Sequence, residues 1–553
     1  MGFQPVFPED VLLEVLAAAD RPEAARMMST SRFLYSEGSK IILRKPITIS
    51  SDRCLSRFLV FILAEGTRRT KFVRSLSFCN LDGEDFGQLR IALLDMSNLA
   101  SLSVTTSSEL QLLASLELLG SCNKADDKGL YRILRSLTIE NMEISHEASQ
   151  TLIAALPYMT DLQNLNLPPG DMFLESHPAL PSALAELPAI QTLQLAYIYE
   201  QGITMLKALR SPLVSARLHF DALGDATFFD TADETDLLEV HPVRLLSHSQ
   251  SSLEELFAYG WLTHLDILPD TSLVYPKMRR LDLEYTEWPL TMAYIRAYPN
   301  LTHLRYHTLD ADLPVYKGYL DALDNRHRLN VEAQRLSKHN WNSLQRVSGS
   351  LVDVYMLGLT CPVDNLRISN APDGHCYQLG PILALTRPRH LELNDWFGTL
   401  SGPAGDAFAA LQGDGGSRLV SLNCRKRLNE KHGDVDIGAI MEGFKVSLSH
   451  TPVQQIKISV LFSGLDTRPR PGSSYDIALR QLDRLRKLPP PNPADYPMCL
   501  AERSAAQFDL KRYMASLMDA VPTLRQAEIT FDGPRRFWKR VSLESEQLRY
   551  DER

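Results

Sequence analysis

"YPKMRRLDL" occupies residues 275–283, and "YPNLTHLRY" comes next at 298–306. Each sets a proline, one free residue, and then apolar-x-x-apolar-x-apolar. The same order recurs at "LPAIQTLQL" (187–195) and "VPTLRQAEI" (521–529), with looser forms at "LASLSV", "LRSLTI", "LQNLNL", "VDNLRI", "LVSLNC" and "VQQIKI". The second and third apolar residues of a window are two apart, so they share one face of an extended strand. The proline falls just before the strand, where a missing N–H costs no ladder bond.

Taking the middle apolar residue as the register places it at 76, 102, 137, 165, 193, 216, 256, 281, 304, 347, 366, 391, 422, 456 and 527. Eleven of the fourteen intervals are 19 to 35 residues long, which is a repeat with insertions rather than chance clustering of leucine. A strand that returns parallel to its predecessor needs a crossover of a dozen or more residues. Helical patterns fill such gaps, as in "SQTLIAALPYM" (149–159) and "ITMLKALRS" (203–211). Intervals of 40, 43 and 71 residues mark insertions near 221–240, 310–340 and 463–520. They include the acidic "FDTADETD" (229–236) and a proline-rich loop (468–497) with an expected helix near "YDIALRQLDRLRKL". The series resembles leucine-rich repeats of the irregular long type, over roughly residues 70–530. The Asn or Cys usual after the strand is mostly absent, Ala258 and Gly349 fill core positions, and Pro388 opens one window.

The chain opens differently, on "FPEDVLLEVL" (7–16). Pro8 suits the first turn of a helix, and Glu9 and Asp10 suit its positive end. Val11, Leu12, Val15, Leu16 and Ala19 make an apolar stripe at helical spacing. Asp20 and Glu23 have capping-box spacing for a second short helix, "PEAARMM", and "TSRFLYSEGSKIILRKP" suits a third. Three helices in about 45 residues bury only a thin core, and excess apolar surface on such a unit points to a protein partner.

"FPEDVLLEVL…D…MMSTSRFLY" resembles an F-box, which opens Leu-Pro-acid-acid-aliphatic-aliphatic and later carries a polar-Arg-Trp step. Phe7 stands for the Leu and Phe33 for the Trp, and "IILRKPITI" replaces the closing Leu-Trp. The resemblance implies docking of the Skp-type adaptor of an SCF-type cullin–RING ubiquitin ligase. The residues it assigns to that contact are Phe7, Pro8, Val11, Leu12, Val15, Leu16, Arg32 and Phe33, with Leu12 and Leu16 as anchors. The repeats would then capture a protein substrate, an architecture similar to that of fungal-type F-box families with leucine-rich repeats. The alternative is a repeat scaffold outside any ligase, whose F-box-like head only caps the solenoid.

In a repeat array the residues flanking the strand's apolar positions face the concave side. That register selects Phe257, Tyr259 and Trp261, then Arg280, Asp282 and Glu284, then His303, Arg305 and His307 as a substrate face. A slip of one residue would instead send the three aromatics into the core and leave Ala258 and Gly260 outside.

Catalytic signatures are missing: the sequence holds no phosphate-binding G-x-x-x-x-G-K-[ST], no H-E-x-x-H and no G-x-S-x-G. "GDGG" (413–416) reads as a turn, "DTADETD" lacks calcium-loop spacing, and "RRFWKR" (535–540) suits a terminal cap better than a nucleic-acid contact. His303 and His307 sit too far apart on a strand to share a metal, and His375–Cys376 has no second ligand pair nearby. A net charge of −9 argues against nucleic acid as the main partner. "FLVFILA" (58–64) is too short to span a bilayer, the first residues lack a secretory pattern, and Val6 stands where myristoylation wants Ser or Thr. Seven scattered cysteines without a C-x-x-C read as reduced thiols of a cytoplasmic or nuclear protein, and the "NLT" sequon (300–302) is discounted because it lies in an expected strand and no secretory signal is read.

The expected protein is therefore an α/β chain and not an enzyme, with no cofactor, no metal, no membrane and no nucleic acid. Its expected order is a three-helix F-box-like domain (1–46), a leucine-rich-repeat solenoid of parallel strands plus helices (47–530), and a C-terminal cap (531–553).

Overall fold

In the computed structural model the chain is α/β and divides into two compact units, residues 1–261 and 262–553. The structure describes residues 7–64, 68–81, 86–121, 129–141, 143–220, 241–260, 272–286, 288–308, 317–369, 376–394, 411, 413–429, 432–449, 451–465, 498–533, 538–544 and 547–552.

Unit one begins with three short helices: α1 (Glu9–Ala18), α2 (Arg21–Met28) and α3 (Arg32–Arg44). Pro8 stands at the N-cap of α1 with two acids in the first turn. The Asp20 side chain accepts from Glu23 N at 2.9 Å, and Ser31 Oγ accepts from Leu34 N at 3.1 Å, starting α2 and α3. Lys45 Nζ donates to the orphan carbonyls of Ala17 (2.7 Å) and Ala19 (3.0 Å) at the C-terminal end of α1. The core between the helices holds Leu16, Ala24, Met28 and Leu34. Gly38 lets α3 close on its neighbours, for a Cβ there would lie 2.9 Å from Leu16 Cδ1 and 3.0 Å from Met28 Cγ.

The chain then forms β1 (Ile47–Ile49) and the amphipathic helix α4 (Asp52–Leu63), whose Leu55, Leu59 and Ile62 are buried. Seven more strands complete the unit: β2 (Ser75–Cys79), β3 (Ser101–Thr106), β4 (Leu134–Ile139), β5 (Asn164–Leu167), β6 (Thr192–Ile198), β7 (Ser215–Phe220) and β8 (Glu255–Tyr259). Within the unit the eight strands pair in parallel in sequence order, through seven successive pairings. The expected helices appear at His146–Ala155 and Glu200–Ala208.

Unit two repeats the scheme with β9 (Arg280–Thr286), β10 (His303–Thr308), β11 (Leu344–Gly349), β12 (Val363–Ile368), β13 (His390–Asn394), β14 (Ser421–Asn429), β15 (Gln455–Gly464) and β16 (Gln526–Asp532), all parallel in sequence order. The eight residues from Leu281 to Ala527 that mark the register lie directly opposite one another, strand after strand. Two antiparallel strands close the series, β17 (Trp538–Glu544) and β18 (Gln547–Glu552). The insertion at 310–340 carries the helix Lys317–Leu336, and that at 463–520 carries helices Leu500–Gln507 and Leu510–Ala520. The helix expected near 475–488 and the acidic 229–236 stretch fall outside the described residues.

All fifteen register positions fall within strands. Leu, Ile, Val and Phe alternate with polar residues, giving burial patterns such as intermediate–buried–exposed–buried along β7 and β10. The buried set packs beneath the helices, leaving the other sheet face open to solvent contact. Gly349 occupies its core position because a Cβ there would meet Tyr306 O at 2.6 Å. Among the described residues no helix is long and apolar enough to cross a membrane.

Candidate functional site

Three surfaces collect the residues selected from the sequence. The first is the outer face of α1. Val11 and Val15 lie one turn apart on one side of the helix, Phe7 precedes it just ahead of the Pro8 cap, and the three are 39%, 50% and 58% exposed in that order. Pro8 and Arg32 are exposed as well. Leu12 and Phe33 are partly buried against the helical core. Leu16 is fully buried and belongs to that core. The expectation that Leu16 anchors a partner is therefore corrected: it follows Val15 directly, is turned about 100° around the helix to point inward, and holds α1 to α2 and α3.

The three-helix head is also tied to α4. Arg69, 1% exposed, lays its guanidinium over the rings of Tyr35 on α3 (4.5 Å) and Phe61 on α4 (4.7 Å). It donates to Phe61 O at 2.9 Å and to Tyr35 Oη at 3.3 Å. A buried cation held between two π faces and two oxygens fixes the angle between α3 and α4.

The second surface is the open sheet face of unit one at its last strands. Phe257 and Tyr259 are half-buried, whereas Leu256 and Ala258 between them are fully buried. The aromatics thus lie on the open face, and small Ala258 fills the core position. Their neighbours complete a patch: Arg217 stands 5.2 Å from the Phe257 ring, and His219 stacks edge-on to Tyr259 at 4.1 Å and tilted to Tyr197 at 5.6 Å. Trp261 lies outside the described residues.

The third surface is the open face of unit two, over β9 to β13. Arg280, His303 and Arg346 share one register level, and Asp282, Arg305, Ser348, Arg367 and Glu392 share the next. Arg280 donates to Asp282 from Nε (3.1 Å) and Nη2 (2.8 Å). Arg305 pairs with Glu284, and Arg367 with Glu392 at 3.7 Å. Arg346 is exposed and forms no ion pair among the described residues. Two adjoining shallow depressions of about 410 and 520 Å³ both border His303, Arg346 and Arg367.

His307 is steered by a residue from the opposite layer. Its Nδ1 lies 3.4 Å from Oδ2 of Asp353, a fully buried carboxylate on the helix Leu351–Leu357. Asp353 also accepts from Thr308 N (3.0 Å), Thr308 Oγ1 (2.7 Å) and Ser350 N (3.0 Å), while Ser350 Oγ accepts from Asp353 N. Three hydrogen bonds hold this carboxylate in place beside the His307 ring and the β10 backbone.

Sequence reading overlooked Tyr197, Arg217, His219, Arg346 and Arg367. The rule that chose Arg305 would have found Arg217 and Arg367, which sit between the same two apolar positions in "ARL" and "LRI". The [ST]-x-x-[DE] pattern of Ser350–Asp353 signals the helix start, but nothing local foretells its reach to His307.

Chemically, these surfaces offer apolar contact, aromatic–cation contact and arginine donors. Among the described residues no group of three or more His, Cys, Asp or Glu side chains is placed to hold a metal ion. No family model matches the chain, and comparison with curated proteins found no similar sequence.

Proposed function

We propose that this chain is the substrate-recognition subunit of an SCF-type cullin–RING ubiquitin ligase, a non-enzymatic receptor. Its F-box-like head docks a Skp-type adaptor, and a leucine-rich-repeat solenoid captures a protein substrate on its strand face. The observation that carries this reading is the exposed Val11–Val15 pair, with exposed Phe7 just ahead of it, on a helix whose other side is buried through Leu16. Two aliphatic side chains in line on one short helix, with an aromatic just before it, suit a helix-in-groove contact. The order of a helical head and then sequential parallel strands is compatible with the rest.

The test is co-purification of the full chain with its host's Skp-type adaptor, beside a Val11→Glu/Val15→Glu variant. Both positions are exposed, so the variant keeps its fold, and two buried charges at an interface weaken binding by at least about a hundredfold. Leu16→Glu is uninformative because it breaks the head itself. Adaptor binding that is absent in the well-folded parent overturns the ligase reading. In that case the second reading holds, in which the head caps the first strand–helix layer. The Arg69 clamp between α3 and α4 favours that role.

A further inference from the structure

We propose that the open face of unit two over β9 to β12 binds an acidic polypeptide segment, with Arg346 as the principal carboxylate receptor. This deepens the proposed capture of a protein substrate by naming its chemistry, and rests on that reading for the identity of the ligand as a substrate.

Four consecutive strands each contribute one arginine: Arg280, Arg305, Arg346 and Arg367. They alternate between two register levels, so their guanidinium groups form a zigzag rather than one crowded row. Adjacent strands are about 4.8 Å apart, so the zigzag spans roughly 14 Å, the reach of four to five extended residues. Three of the four already have a carboxylate: Asp282, Glu284 and Glu392. Arg346, at the middle of the row, is exposed with no ion pair among the described residues and borders both depressions. Its planar fork of donors matches one carboxylate bidentately. Cations therefore exceed anions on this face, although the chain as a whole carries −9.

The interleaved carboxylates select the class of ligand. A nucleic-acid backbone carries no N–H donors, so its phosphates would meet Asp282, Glu284 and Glu392 only as repulsion. A polypeptide sets a carboxylate against Arg346 and turns its own N–H groups toward the three acids. Shallow, elongated and polar, the face fits an extended segment rather than a small molecule.

Fluorescence anisotropy on the full chain tests this with fluorescein-labelled octaglutamate. Octalysine and an eight-phosphate single-stranded oligodeoxynucleotide serve as comparators. The expected result is octaglutamate binding that weakens with salt, falls about tenfold in Arg346→Glu, and falls less in Arg346→Lys. Arg503→Glu, the same charge change at an exposed helical site, leaves it unaltered. Melting temperatures of the three variants match the parent. The proposal is overturned by a folded parent that ignores octaglutamate, by equal loss in Arg503→Glu, or by an oligodeoxynucleotide that binds as tightly. Adaptor co-purification reads the head alone, so intact adaptor binding beside any of these outcomes removes this inference and leaves the ligase reading in place.

Discussion

Gly170 sits at φ +47°, and a Cβ added there would fall 1.5 Å from Ala196 O. Only glycine fits, and it delivers the next residue, Asp171, to a buried position beside the helix Glu200–Ala208. The Asp171 carboxylate accepts from Gln201 N and Gly202 N, both at 2.7 Å, and caps that helix. Burial lifts its pKa to about 6 against the pull of those N–H donors. Such a group stabilises the fold fully below its unfolded value near 3.8, and the contribution is lost as pH rises through about 6. His241 works in the opposite sense: 3% exposed, it is held down to about 4 by burial, and His248 likewise. Their stabilisation is present above pH 6.5 and is lost as pH falls toward 4. The two histidines outweigh the one aspartate, so these three groups together favour a loss of stability on acidification from pH 6.5 to 4. His241 alone accounts for about 3 kcal/mol of that change. Urea titrations at fixed pH check this: His241→Asn should flatten the acid loss by a large fraction, and an unchanged slope would show the imidazole to be innocent. None of these three groups is legible in the sequence, since burial of a polar side chain comes from neighbours brought in by the fold. Leu16 is the converse case, an apolar residue whose type is plain but whose direction, inward or outward, depends on where α2 and α3 pack.

At the scale of elements, the strands were the legible part. An apolar residue at every second position, repeated fifteen times in register, has no other stable arrangement than parallel strands with intervening crossovers. The strand β1 escaped because three residues, Ile47–Ile49, are too few to show a period. The strands β17 and β18 escaped because their sequences alternate charge with apolar residues and carry no proline-led window. The first of them is tied to the helix Leu500–Gln507 by Lys539, which is 6% exposed and whose Nζ donates to Ala506 O at 2.6 Å. Between β10 and β11 the decisive contact is Asp353. Replacing it by alanine orphans Thr308 N, its hydroxyl and Ser350 N at once, which should cost about 3 kcal/mol of stability. Thermal melting of Asp353→Ala reads this directly, and a shift within error of the parent would mean that water takes over those donors. The sheet faces were legible as positions but not as a site: the register rule names which residues face outward, whereas their pairing into ion pairs, as at Arg305–Glu284, depends on strands whose order the chain reveals only when folded.

Across the whole chain, charge and composition constrain partners more than they identify them. A net −9 spread over 553 residues is compatible with a local arginine row, because the sum says nothing about which face carries which sign. The C-terminal strands guard the end of the parallel series: Val541 and Leu543, 0% and 2% exposed, pair with Ile529 and Ala527 of β16. A chain ending at residue 533 would leave that strand's hydrogen-bonding edge open, and light scattering should detect association at concentrations where the full chain stays dispersed. Equal dispersion of the two would show that β16 needs no guard.

The strand order also sets a timetable at the ribosome. Each parallel strand finds its partner among residues already made, so most of them pair soon after they emerge. The exception is β15, whose far neighbour β16 is separated from it by 61 residues, from 465 to 525. At typical synthesis rates that is a wait of about 3–12 s. During it the nascent chain presents Ile456, Ile458 and Val460 on an unpaired edge, and that interval is when a chaperone has most to protect.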